Sequence, residues 1–181
     1  HYYDENDAKN DVVLDGNFYK IYNKLSPGPI TYIVKKRKNS RINKMACANL
    51  KTVGIRFPKN QIIRKVLKKI NFPLAMPSAN KSKSISPVSP KDVYDEFKKK
   101  IKVVDGGFSK IGVESTVVNL VGKISILRPG KITPAQLKKI LNKKINFSQK
   151  NKKILSPGYL KKHYSPNIPV LLNKHKCPQK Y

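Results

Sequence analysis

The sequence predicts an α/β fold: a twisted, open, mixed sheet with flanking helices, followed by an extended linker. Three observations predict it. Short apolar runs rich in β-branched and aromatic residues interleave with segments of helical period, the pattern of layered α/β domains. Proline- and glycine-bearing turns separate the two kinds of segment. From about Ile145 the alternation fails, and a polar, basic, proline-containing stretch follows.

The elements can be justified in order. Phe18 to Leu25 has apolar residues at helical spacing, and Ser26-Pro27-Gly28-Pro29 stops it. Ile30 to Val34 reads as a strand, followed by a basic loop from Lys35 to Asn43. Thr52 to Arg56 is a short strand that ends at Phe57-Pro58. Gln61 to Ile70 carries a stripe of Ile62, Ile63, Val66, Leu67 and Ile70, which predicts a helix packed on the sheet. Leu74 to Met76 reads as a short buried strand running into Pro77-Ser78-Ala79-Asn80. After a Ser/Pro-rich loop from Lys81 to Pro90, Ser89-Pro90 supplies an N-cap and a first-turn proline for a helix to about Lys99. Ile101 to Val104 reads as a strand closed by Asp105-Gly106-Gly107. Ser115 to Leu120 and Ile124 to Leu127 form a hairpin around Val121-Gly122-Lys123, and Thr133-Pro134 opens a last helix through Leu137, Ile140 and Leu141. The chain opens on His1-Tyr2-Tyr3 in a polar turn, which predicts that a further N-terminal portion precedes it.

Composition narrows the function. No apolar run approaches the roughly 20 residues that span a bilayer. Cys47 and Cys177 lack a Cys-x-x-Cys spacing and read as free thiols, as in a reduced cytoplasm. His1, His163 and His175 have no metal-ligand spacing, so no metal site is expected. The formal charge is +29, but only five of the 39 basic residues are Arg. Lys is scattered through nearly every segment, which reads as compositional bias as much as a nucleic-acid groove. Against that background an Arg is informative, because a guanidinium forks onto carboxylate or phosphate as an ammonium cannot. Arg56 and Arg128 lie at the ends of apolar strands, whereas Arg37, Arg41 and Arg64 read as exposed surface charge.

Several polar groups interrupt this apolar pattern. Glu114, Ser115 and Thr116 stand at the entrance of one strand and Arg128 at the exit of the next, an arrangement that can converge on an anion. Thr52 and Arg56 share a face of their strand, and read either as holders of a carboxylate and a phosphate or as a surface Thr beside a salt-bridged Arg. Glu114 is placed for an ion pair with a basic residue. Ser78 and Ser86 belong to a loop that either cradles phosphate oxygens or merely links two elements. Neither glycine-rich nucleotide fingerprint is present, and nothing selects a catalytic triad.

The order of these motifs carries more than any one of them. Ser-Pro-Gly-Pro-Ile-Thr (26–31), Thr-Val-Gly-Ile-Arg-Phe-Pro (52–58), Pro-Ser-Ala-Asn (77–80), Ser-Pro (86–87), Asp-Gly-Gly (105–107), Gly-Val-Glu-Ser-Thr-Val-Val (112–118) and Leu-Arg-Pro-Gly (127–130) together resemble the YrdC/Sua5 family. Ser156-Pro157-Gly158 with His163-Tyr164-Ser165-Pro166 looks like the linker of the longer, two-domain Sua5 form. The resemblance implies a YrdC-like catalytic domain over 1–145 that lacks its N-terminal portion, a linker over 146–169, and the start of a C-terminal domain over 170–181. Two departures stand out. The family's Thr-x-Tyr-Gly-Leu and basic N-terminal motifs would precede His1, and Lys83 stands near the usual glycine of the Ser-Gly-x-x-Ser-Pro loop.

That resemblance implies an L-threonylcarbamoyladenylate synthase. Such an enzyme takes L-threonine, bicarbonate or CO₂, and ATP with Mg²⁺, and forms threonylcarbamoyl-AMP and pyrophosphate. It implies that Thr52, Ser78, Ser86, Arg128 and Tyr164 face ATP, and that His1, Arg56 and Ser115 face threonine. No residue is marked as a covalent catalyst. The product would pass to a separate transferase that modifies tRNA adenosine, with RNA contact a further expectation. Two competing readings are a double-stranded-RNA-binding module and an inactive, truncated paralogue.

Overall fold

In the computed structural model the described residues are 1–147, apart from 82, 83 and 99. A short helix α1 (Glu5–Ala8) leads into α2 (Gly16–Leu25), then β1 (Ile30–Lys35), a 3₁₀ turn at Lys44–Cys47, and β2 (Thr52–Arg56). Helices α3 (Gln61–Ile70) and α4 (Pro90–Glu96) precede the hairpin strands β3 (Thr116–Asn119) and β4 (Ser125–Arg128). Helix α5 (Pro134–Leu141) and a two-residue strand β5 (Asn146–Phe147) follow.

The sheet has the order β2-β1-β3-β4-β5. It is mixed: β1 and β3 are parallel, as are β4 and β5, while β2 and β4 run antiparallel to their inner neighbours. The helix starts are written locally. Asp15 accepts from Phe18 N at 2.8 Å, while Ser89 with Asp92 and Thr133 with Gln136 form reciprocal capping boxes over a first-turn proline.

One face of the sheet carries the core. Ile30, Tyr32 and Val34 of β1, Ile55 of β2, and Val118 and Ile126 of the hairpin are buried with Phe18 and Ile21 of α2 and Leu137 and Leu141 of α5. Phe18 makes an edge contact with Tyr32, and Tyr22 with Phe57. The opening residues belong to this core: Tyr2 is buried, lies near the Phe57 ring, and donates its hydroxyl to Asp11 at 3.0 Å. Gly28 is required in the turn before β1, since a Cβ there would lie 2.2 Å from the Leu25 carbonyl oxygen.

Several expectations need correction. Leu74–Met76 and Ile101–Val104 are not strands, and Ile101 and Val104 are exposed. Strand propensity needs a neighbouring strand to bond, and Leu74 finds only His1, through a reciprocal pair at 2.7 and 3.1 Å. In the α3 stripe Leu67 is buried, whereas Ile62 and Val66 are more than a third exposed. This helix instead engages the opening segment, with Arg64 lying 4.4 Å from the Tyr3 ring centroid and donating to its carbonyl at 3.0 Å. Helix α4 ends at Glu96 rather than near Lys99, and Asn146 and Phe147 pair with β4.

Nor are the three basic-segment arginines loose surface charge. Arg37 donates to the carbonyls of Lys9 and Val12, at 2.8 and 3.2 Å. Arg41 binds Asp7 at 2.7 Å and the fully buried Asp11 at 2.8 Å, and its backbone N–H also reaches Asp11, at 2.6 Å. These partners lie about 30 residues away, so local composition could not announce them.

Candidate functional site

The second face of the sheet is polar at one end, and its register explains why. Arg56 of β2 pairs with Thr31 of β1, Thr31 with Val117 of β3, and Val117 with Arg128 of β4. Cross-strand partners share a face, so a single row runs from one arginine to the other. Four strands at ~4.8 Å spacing put the two backbones roughly 14 Å apart. That span accommodates two anionic groups rather than one.

A hydrogen-bonded chain fills one end of the row. The Thr31 and Ser115 hydroxyls meet at 2.7 Å. Arg128 donates from Nη2 to the Ser115 hydroxyl at 3.0 Å, and from Nε and Nη2 to its carbonyl at 3.1 and 3.0 Å. The same guanidinium is ion-paired through Nη1 to Glu114. The other Glu114 oxygen accepts from the Ser86 hydroxyl at 3.3 Å, which brings the Ser/Pro-rich loop to the sheet. Asn80 braces that loop by donating to the carbonyls of Lys81 and Ser84, at 2.8 and 3.1 Å.

Arg56 differs from Arg128. Its Nε is buried and has no hydrogen-bond partner, and none of the ion pairs among the described residues includes it. Burial pushes its pKa below the ordinary arginine value, yet a guanidinium remains charged at neutral pH. An unsatisfied buried donor costs about 1–3 kcal/mol, a cost that an anion arriving from outside would relieve.

The sequence-predicted residues are therefore partly united. Ser86, Ser115 and Arg128 belong to one chain of contacts, and Arg56 stands in the same row. His1 sits near the Arg56 end, because Tyr2 N bonds the Arg56 carbonyl at 3.0 Å. Thr52 shares the Arg56 face but lies four residues back along β2, roughly 13 Å away. Ser78 is exposed in the loop, and none of the contacts among the described residues joins it to the row. Tyr164, like His163, His175 and Cys177, lies outside the described residues. Reading the sequence for site residues passed over Thr31 because its hydroxyl sits within a regular strand pattern; the two-residue alternation with Ile33 was the available signal.

A surface hollow of about 520 Å³ lies elsewhere, floored by Val34, Leu120 and Ile145 and rimmed by Lys35, Lys123, Lys143 and Lys144. It contains none of the row's residues, and the unpartnered arginine donor and convergent hydroxyls make the row the candidate site.

A polar row ending in an arginine whose buried Nε has no partner is, on an open α/β sheet, the kind of surface that suits anionic small molecules. Comparison with known proteins makes this specific. The Sua5/YciO/YrdC model, described as telomere recombination, matches residues 1–130. A model for the C-terminal domain of threonylcarbamoyl-AMP synthase matches 132–181. The chain belongs to the Sua5/YciO/YrdC family. It is 34% identical over 151 residues to the threonylcarbamoyl-AMP synthase of Bacillus subtilis, covering 81% of this chain and 43% of that protein. The Pyrococcus abyssi synthase is 33% identical over 152 residues, covering 81% and 44%. The chain thus spans less than half the length of these relatives. Among solved structures, P. abyssi Sua5 complexed with L-threonine superposes with a TM-score of 0.77 at 28% identity, over 88% of this chain and 49% of that one. Escherichia coli YciO gives 0.59 at 20% identity, over 74% and 66%, a likeness of fold alone. None of the described helices is long and apolar enough to cross a membrane.

Proposed function

We propose that this chain carries the substrate site of an L-threonylcarbamoyladenylate synthase, which joins L-threonine, bicarbonate or CO₂, and ATP into threonylcarbamoyl-AMP with release of pyrophosphate. The observation that carries the reading is Arg56, a partly buried arginine whose buried Nε lacks a partner. A threonine carboxylate there gains charge-assisted hydrogen bonds and relieves the orphaned donor. The solved relative bound to L-threonine supports the same ligand class.

In this reading Arg56, Ser115 and His1 hold threonine, and Ser86 and Arg128 face the nucleotide. Thr52, Ser78 and Tyr164 complete the nucleotide side. The neutral threonine amine adds to CO₂, loses a proton and becomes a carbamate. A carbamate oxygen then attacks the α-phosphorus of ATP, and the bond to the leaving pyrophosphate breaks. No covalent protein nucleophile is required, because alignment of two anions and neutralisation of their charge supply the acceleration. Magnesium, carried in with ATP, would supply charge neutralisation at the phosphates.

The organisation that accompanies this function is a synthase domain over 1–145, a linker over 146–169 and a C-terminal domain beginning at 170. The C-terminal-domain match over 132–181 begins before α5 and takes in β5, so it supports a second module but not its start at 170. The product would pass, in the cytoplasm, to a transferase acting on tRNA adenosine. The lysine excess gives the surface a charge suited to RNA contact.

The test is pyrophosphate release from ATP by the full chain, with and without L-threonine and bicarbonate. Release that needs both is the expected result. Release indifferent to threonine refutes the assignment.

A further inference from the structure

We propose that Glu114 is a positioning residue that couples the nucleotide half of the site to the threonine half. The proposal rests on the substrate assignment above and adds to it how the two halves communicate. Glu114 stands in the middle of the contact chain. One carboxylate oxygen is paired with Arg128 and the other accepts from Ser86 at 3.3 Å. Arg128 in turn holds the Ser115 hydroxyl at 3.0 Å, and Ser115 meets Thr31 at 2.7 Å beside Arg56 in the register. A phosphate arriving at Ser86 and Arg128 therefore meets groups already tied to Glu114. Any shift of that carboxylate is transmitted through Arg128 to the hydroxyl that faces threonine.

A plain structural salt bridge would have the task of fastening the end of β4 to the start of β3. Other contacts already do this. Thr116, fully buried, donates its hydroxyl to the Ile132 carbonyl at 3.0 Å and accepts from Ile132 N at 2.9 Å. Gly130 packs so closely that a Cβ would lie 2.5 Å from both the Glu114 carbonyl oxygen and Thr116 N. Thr116 N also bonds the Pro29 carbonyl at 3.0 Å, fixing the segment to the turn before β1. The backbone at 114–116 is thus pinned without the Glu114 side chain. The Glu114 and Arg128 side chains remain 19% and 22% exposed, open to a ligand at the mouth of the row.

Linkage requires such coupling to be reciprocal: nucleotide changes threonine affinity by the factor by which threonine changes nucleotide affinity. The experiment measures L-threonine binding to the full chain by titration calorimetry, with and without a non-hydrolysable ATP analogue. In the wild type the two affinities should differ by roughly tenfold. In Glu114→Gln the ratio should fall to about one. Ser86→Ala breaks the chain at its other end through a single hydroxyl, so it tests the same path even if Glu114→Gln fails to fold. A wild-type-like ratio in both variants overturns the proposal, as does a ratio of one in the wild type, while leaving the substrate assignment intact. A wild type that binds neither ligand removes the assignment and the proposal with it.

Discussion

Replacing Arg56 by Met should make the unliganded protein more stable and its site worse. Nε of Arg56 is buried and unpartnered, and an unsatisfied buried donor costs about 1–3 kcal/mol. Met keeps an unbranched stem of similar reach and removes the donor and the charge. Unfolding without ligand should therefore shift upward by about 1–3 kcal/mol, or roughly 2–12 °C for a chain of this size. Threonine binding should move the other way. Charge-assisted hydrogen bonds are worth about 1.5–3 kcal/mol, so threonine affinity should fall roughly 10- to 150-fold at about 1.4 kcal/mol per decade. Thermal unfolding of wild type and Arg56→Met, each with and without saturating L-threonine, reads both effects in one assay. The wild type should gain stability from threonine, and the variant should start higher and gain little. A variant that starts lower and keeps the threonine-dependent gain would refute the reasoning, since Arg56 would then be satisfied within the fold.

Arg41→Ala should destabilise by about 1–3 kcal/mol in denaturant unfolding, because it strips a partly exposed cation from the buried Asp11 carboxylate, which keeps its bonds from Tyr2, Ser40 and the backbone N–H at position 41. Burial alone would raise the Asp11 pKa, but donation from Arg41 and Tyr2 outweighs it and holds the group below its ordinary value near 3.8. A depressed folded-state pKa gives stability that is present above the unfolded value and lost as pH falls through the folded one. Melting temperatures should therefore drop below pH 4 in the wild type, and the drop should be shallower in Asp11→Asn. Gly130→Ala should cost about 1–3 kcal/mol in the same unfolding assay, because the new Cβ meets backbone atoms that cannot rotate away.

Elements whose signal is local were legible in the sequence. Thr52–Arg56 and Gln61–Ile70 appear with the limits the pattern gave, and the capped helices begin at the Ser-Pro and Thr-Pro pairs. Where the signal depended on a distant partner, the reading failed. Val104 looks like a strand residue but is 76% exposed, since propensity does not say whether a neighbouring strand is at hand. Arg41 looks like surface charge because Asp7 and Asp11 lie about 30 residues away. The site shows the same division. Ser86, Ser115 and Arg128 were singled out through motif order and do converge, and Glu114, placed for an ion pair, finds Arg128; that it would also reach Ser86 had no local signal. Thr31 was missed for the same reason, its partner Ser115 being 84 residues away.

The two arginines of the row are in opposite states, and that asymmetry bears on how a two-substrate site is organised. Arg128 is held by Glu114 and Ser115, so its geometry is set before any ligand arrives. A phosphate there has to share the guanidinium with Glu114 and Ser115, at a side chain 22% exposed to solvent and salt. Nε of Arg56 has nothing to displace, so an anion at that end takes up the full benefit of relieving a buried donor. On the proposed reading, the α-amino acid carboxylate gains most from the fold, while the triphosphate depends on its metal and on backbone and hydroxyl groups. The physical consequence is a difference in salt response. Threonine binding at Arg56, whose Nε is buried, should be weakly screened, and nucleotide binding at the partly exposed Arg128 should weaken as ionic strength rises past about 0.1 M. Titrations of each ligand across that range would show equal slopes if the two arginines were equivalent, and equal slopes would refute the division drawn from their partners.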